Sequence, residues 1–229
     1  MSTWWSIYLL GLVLGVKHAL DADHVLAVTA MAAETKSVRR SWQLGLRWGL
    51  GHTLALMTVG ILLLAFRVTM PVVLALLFEY AVAAMLVWLG VNVLRTMRRE
   101  RLHVHAHVHD HGVRHVHWHA HAGSPAHAHQ HRSFLVGMLH GLAGSAALAL
   151  LVMASAPTFG QGMLFAGVFG AGSILGMMAV SSALTVPFLL TQRFDRAHRA
   201  VQLSAGCLSI VMGGLLAAEL TAKLLPFAF

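Results

Sequence analysis

The chain has 229 residues, of which 58% are hydrophobic and only 10% charged, with a mean hydropathy of +0.72. A soluble globule would have too little polar material here to cover its surface, so the sequence reads as an integral membrane protein. One cysteine, Cys207, excludes an internal disulfide and a thiolate cluster, leaving metal or catalytic chemistry to His, Asp, Glu and Ser.

A hydrocarbon core about 30 Å thick takes roughly 20 apolar residues per helix, and six stretches meet that length. They fall near residues 4–31, 42–66, 70–95, 133–155, 162–191 and 200–225. None alternates like a barrel strand, and isolated extended spans would leave backbone groups unpaired in lipid, so all six are predicted as helices. The opening MSTWWSIYLL lacks the basic region and cleavage site of a signal peptide, and its Trp4, Trp5 and Tyr8 suit an interfacial anchor. Basic residues gather after the first, third and fifth helices: Lys36, Arg39, Arg40 and Arg47, then six arginines from Arg95 to Arg132, then Arg193, Arg196 and Arg199. The opposite side holds Arg67 and Lys223. This bias predicts both termini outside the cytoplasm and the long central loop within it. The net charge of +8 thus reports topology and contact with lipid head groups, and carries no nucleic-acid inference.

At an offset of about 122 residues the halves resemble one another. Gly15, His18 and Leu20 lie over Gly137, His140 and Leu142, and Gly49, Gly51, Met57 and Val59 lie over Gly170, Gly172, Met178 and Val180. Three helices per half is an odd number, so the halves insert with opposite orientation, the plan of many secondary transporters with a midplane site. The expected architecture is an all-α membrane protein of six helices in two inverted repeats, 1–99 and 133–229, separated by a histidine-rich cytoplasmic loop, 100–132.

The first helix carries GVKHALDADHVLAV over residues 15–28. An ionised side chain at the bilayer centre costs about 2.5 to 3.5 kcal/mol even on the lenient insertion scale, and Asp21 and Asp23 double that cost. Water in a cavity, Lys17 or a bound cation could each offset it. On a regular helix His18, Asp21 and His24 form a ladder stepping about 60° per rung, with Asp23 pointing away. Gathering all four needs local unwinding or donors from other helices, and His52 and His140 are the obvious donors. Imidazole and carboxylate without sulfur suit nickel, cobalt, copper or zinc, whereas calcium and magnesium prefer oxygen alone. The bland alternatives are a buried polar network for the first-helix residues and packing roles for His52, His140, Ser145 and Ser173. Glu79, Asn92 and Glu219 lie nearer helix ends, where snorkelling explains them.

Residues 101–131 hold 12 of the 17 histidines, mostly at every second position. Such a segment cannot build a core, but whenever extended it lines imidazoles along one side and binds divalent transition metals.

At KHALDADHV the sequence resembles the signature of the nickel/cobalt transporter superfamily: a histidine, four residues, then Asp-His, here His18, Asp23 and His24. GLGHT, residues 49–53, is similar to that family's second motif, LGHS. The resemblance implies membrane passage of Ni²⁺ or Co²⁺ with His18, Asp23 and His24 of the first motif as the selectivity site. Six helices, and HGLAGSAAL in place of the family's acidic-threonine motif, look like the smaller branch associated with urease or nickel-enzyme maturation.

The resulting expectation is a secondary transporter of the bacterial inner membrane, not an enzyme. His18, Asp21, Asp23, His24, His52 and His140 are its metal site, and it has no permanent cofactor. Its partners would be the divalent ion, membrane lipid and a cytoplasmic metallochaperone, and uptake is favoured over efflux with the same site. No Walker phosphate loop is present. The remaining alternative is an intramembrane serine protease using Ser145, but His140 lies about 140° around the same helix from it and is badly placed as a base.

Overall fold

The computed structural model describes residues 2–33, 35, 37–66, 68, 70–100, 105–108, 114–117, 128–143 and 156–225. The helices are α1 (Ser2–His18), α2 (Ala22–Ala32), α3 (Val38–Phe66), α4 (Val72–Glu100), α5 (Ala128–Leu142), α6 (Phe159–Thr191) and α7 (Asp195–Leu224). Four of them, α3, α4, α6 and α7, are long and apolar enough to cross a membrane. Their outer faces present large apolar side chains such as Leu54, Leu77, Leu175 and Leu215, and Trp5 stands exposed near the start of α1. A belt of that extent suits lipid, not water.

The first predicted span is a correction. Instead of one helix over 4–31, the chain forms two shorter apolar helices, α1 and α2, interrupted at Ala19–Asp21. Leu20 N–H donates to Lys17 O at 2.9 Å and Asp21 N–H to His18 O at 3.1 Å, so the last turn tightens before the chain turns extended at Asp21, φ −60° and ψ 146°. Aspartate is a poor residue inside a helix and a good one at its start. Asp21 precedes α2, and Asp23 lies in its first turn, where the helix dipole favours negative charge. The fourth predicted span is described as α5 and Ala143; Ser145 and the rest of that stretch lie outside the described residues, as does most of the histidine loop. Within that loop one antiparallel hairpin is described, β1 (His105–Val108) with β2 (Arg114–His117), whose register pairs His105 with His117 and His107 with His115.

Helix α3 is the hub, packed along both α6 and α5, while α1 lies along α6 and α4 along α7. Helix α2 touches α4, α6 and α7 only lightly. Glycine permits the close crossings. At Gly15 of α1 any Cβ would strike the backbone of Phe169 on α6, and at Gly137 of α5 it would strike the backbone of Trp48 on α3. The facing sides correspond: Gly172 of α6 abuts the Leu12 carbonyl of α1, and Gly51 of α3 abuts the Phe134 carbonyl of α5. Buried hydroxyls add cross-links, Ser41 Oγ donating to Ser181 O at 2.6 Å and Ser209 Oγ to Leu86 O at 2.7 Å.

Gly137→Val should therefore destabilise the fold by about 1–3 kcal/mol or more, the range for overpacking, read as a lower thermal midpoint in detergent. Gly167→Ala, at a position with open space around it, should leave that midpoint unchanged.

Candidate metal centre

The break in the first span sets the site. It leaves His18 at the end of α1 and Asp23 and His24 at the start of α2, so residues that a continuous helix would spread around its axis face one point. His52 enters from midway along the 29-residue α3, and His140 from near the end of α5. The ring centroids of His18 and His24 are 4.4 Å apart, of His18 and His52 4.9 Å, and of His24 and His140 4.6 Å. His24, His52 and His140 are wholly buried and His18 is 5% exposed.

Donor atoms fall into two overlapping groups, His18 with His24 and His52, and Asp23 with His24 and His140. Within each group one donor atom per residue lies within 4.8 Å of the others. Two donors bound to one ion at about 2.1 Å stand at most about 4.2 Å apart, so each group is of the size that a single ion bridges after local adjustment of its side chains. His24 belongs to both.

The carboxylates orient the rings. His18 Nδ1 lies 2.8 Å from Asp21 Oδ2, and His24 Nδ1 lies 3.0 Å from Asp23 Oδ1, which also accepts from the His24 backbone N–H at 2.9 Å. An ionised carboxylate only accepts, so each Nδ1 carries the proton and each Nε2 keeps its lone pair. Among the described residues both Nε2 atoms are buried without a hydrogen-bond partner, as are both ring nitrogens of His52 and the Nε2 of His140. Carboxylates holding imidazoles through the remote nitrogen are the usual outer support of metal-binding histidines. Asp23 turns its second oxygen toward His140 Nε2, 3.8 Å away. Asp21 lies outside both donor groups, with its side chain 41% exposed and bonded to His18. Lys17 is exposed, and no ion pair joins it to either aspartate among the described residues.

Two neighbours of the cluster went unassigned in the sequence. Trp48 stacks on His24 at 5.3 Å and stands edge-on to His140 at 5.4 Å, and Phe169 lies 5.5 Å from His18. Ser173, read from the sequence as a packing residue, is buried, and its hydroxyl has no hydrogen-bond partner among the described residues. Trp48 was detectable, since it stands four residues from His52 and so on the same helix face. Ser173, which occupies the second-half position matching His52, carried no such signal.

Buried imidazoles and a carboxylate gathered inside an apolar bundle are the donor chemistry of a membrane protein that handles divalent transition metals. Residues 4–223 match the NicO family, described as high-affinity nickel-transport protein, and the chain belongs to that family. It is similar to the urease accessory protein UreH of Bacillus sp. (strain TB-90), 34% identical over 208 residues, which cover 91% of this chain and 89% of that protein. No solved structure matches the chain significantly. The family is the one the KHALDADHV and GLGHT motifs resemble, and the relative falls in the urease-associated group.

In protein whose 12 loop histidines are replaced by serine, equilibrium dialysis should find tight Ni²⁺ binding that His24→Ala abolishes. Asp21→Asn should weaken it by about 10- to 100-fold, the range for losing an outer-shell partner. Binding should also weaken as pH falls, because each imidazole must be unprotonated to ligate.

Proposed function

We propose that this chain carries Ni²⁺ inward across the bacterial cytoplasmic membrane, with Co²⁺ as a second cargo, and that His18, Asp23, His24, His52 and His140 are its ligands. The observation that carries this reading is the cluster of four buried histidines whose Nε2 atoms make no hydrogen bond among the described residues. Each costs free energy in an apolar interior unless something accepts its lone pair, and family membership supplies the ion. Asp21 serves as the support of His18. The ion occupies the two donor groups in turn, moving across the shared His24 ring, since a conducted ion needs adjacent sites none of which holds it too firmly. The ion is substrate throughout, and the reading assigns the chain no resident cofactor and no enzymatic step.

The reading includes six spans in two inverted three-helix repeats, residues 1–99 and 133–229, on either side of a cytoplasmic histidine-rich loop at 100–132. Support comes from the reciprocal glycine contacts: Gly15 with Phe169 answers Gly137 with Trp48, and Gly51 with Phe134 answers Gly172 with Leu12, all at offsets of 121 or 122 residues. Both termini lie outside, in keeping with the arginines on the loop side of α4 and between α6 and α7. The loop collects arriving metal and hands it to a cytoplasmic metallochaperone. A relative named as accessory to urease supports supply of the ion over its removal.

Radioactive nickel uptake into vesicles tests the site: His18→Ala, Asp23→Asn and His24→Ala should each lose at least about 90% of transport, as expected when a ligand is removed rather than its support, with normal membrane insertion. Deleting the gene should lower cell nickel; a rise in cell nickel with sensitivity to the metal would establish efflux.

A further inference from the structure

A cavity of about 270 Å³ lies between α2, α4 and α7, lined by Asp23, Leu26, Glu79, Leu86, Met212 and Leu216. Its walls are apolar apart from two carboxylates. Asp23 belongs to the histidine cluster. Glu79 stands about two turns into α4, at the end remote from Arg95 and Arg98, and from there to Leu86 the cavity follows α4 for about 10 Å. Among the described residues Glu79 makes no hydrogen bond and no ion pair. The nearby Lys223 is instead bridged at 2.7 Å to Glu219, one turn away on its own helix. A carboxylate that merely snorkelled would reach the helix end and that lysine; this one faces the same cavity as Asp23.

The cavity also lies along a seam. Helices α4 and α7 pack tightly on each other and only lightly on α2, α5 and α6, so its walls belong to a pair distinct from the α1, α3, α5 and α6 core.

We infer that this cavity is the passage joining the histidine cluster to the membrane face away from the arginine-rich helix ends, and that Glu79 is the capture residue a divalent cation meets before Asp23. The inference rests on the transport reading above. Carboxylate oxygen suits a cation that still keeps part of its water, and low-dielectric walls strengthen its pull. Imidazole nitrogen then completes the exchange deeper in, where Nε2 atoms stand ready. Glu79 thus acts on capture, and the histidines on holding.

The test uses full-length protein in proteoliposomes with radioactive Ni²⁺. Glu79→Gln should raise the KM for Ni²⁺ at least about fivefold with the maximal rate within about twofold, the signature of weakened capture. Glu79→Asp should restore most of the loss, and added salt should shrink the difference between Glu79→Gln and wild type. A second arm exploits the single cysteine. In a Cys207→Ser background, Leu216→Cys should react with a membrane-impermeant methanethiosulfonate reagent, Ni²⁺ should slow that reaction, and modification should block uptake. Suppose wild type takes up nickel and His24→Ala abolishes it, while Glu79→Gln keeps its KM and labelled Leu216→Cys still transports. The passage is then overturned and the metal site stands. A wild type that takes up no nickel overturns both.

Discussion

The structure turns on one constraint: four buried imidazoles, with the partly exposed Asp23 beside them, are gathered in a bundle whose other buried polar side chains are uncharged serines, a threonine and a glutamine. Four imidazoles and a carboxylate at this depth are tolerable only if each is oriented and most are left a lone pair to give. The interruption at Ala19–Asp21 makes that possible. It swings His18 and His24 toward each other, frees Asp21 to hold one ring and places Asp23 to hold the other. Without it, three residues would climb a helix in a spiral and no common centre would exist.

Much of the site was legible because the residues involved are costly. His18, Asp23 and His24 stand out in a greasy run, and His52 and His140 are isolated histidines in spans that the repeat brings together. Hydropathy, averaged over some twenty residues, cannot see a three-residue break, so the first span reads as continuous and its ligands as a ladder. That same blindness hides where Asp21 stands, bonded to the His18 ring and outside both donor groups. Glu79 reads from the sequence as a snorkelling residue near a helix end, and only the fold shows that it lines a cavity with Asp23. Trp48 looks like any core tryptophan until its ring is found lying on His24.

The glycines explain how so polar a centre stays closed. Backbone meets backbone at Gly15, Gly51, Gly137 and Gly172, which leaves no room for water along the α1–α6 and α3–α5 contacts. Trp48 and Phe169 cover the rings from the same two helices that carry those crossings. Tight packing in one part contrasts with a lighter seam beside α2, where the cavity lies. A rigid receptor with a single yielding wall is what an ion stripped of water requires.

The crossed partnership of the helices also bears on how the protein is made. The face of α1 is filled by α6 and that of α3 by α5 and α6, so the amino-terminal half leaves the ribosome with its notched surfaces vacant and its titratable groups open to lipid. Those helices must wait in the bilayer, individually inserted yet unassembled, until the carboxy-terminal half arrives to seat against them. Closure of the bundle therefore comes late, once the carboxy-terminal helices are in place.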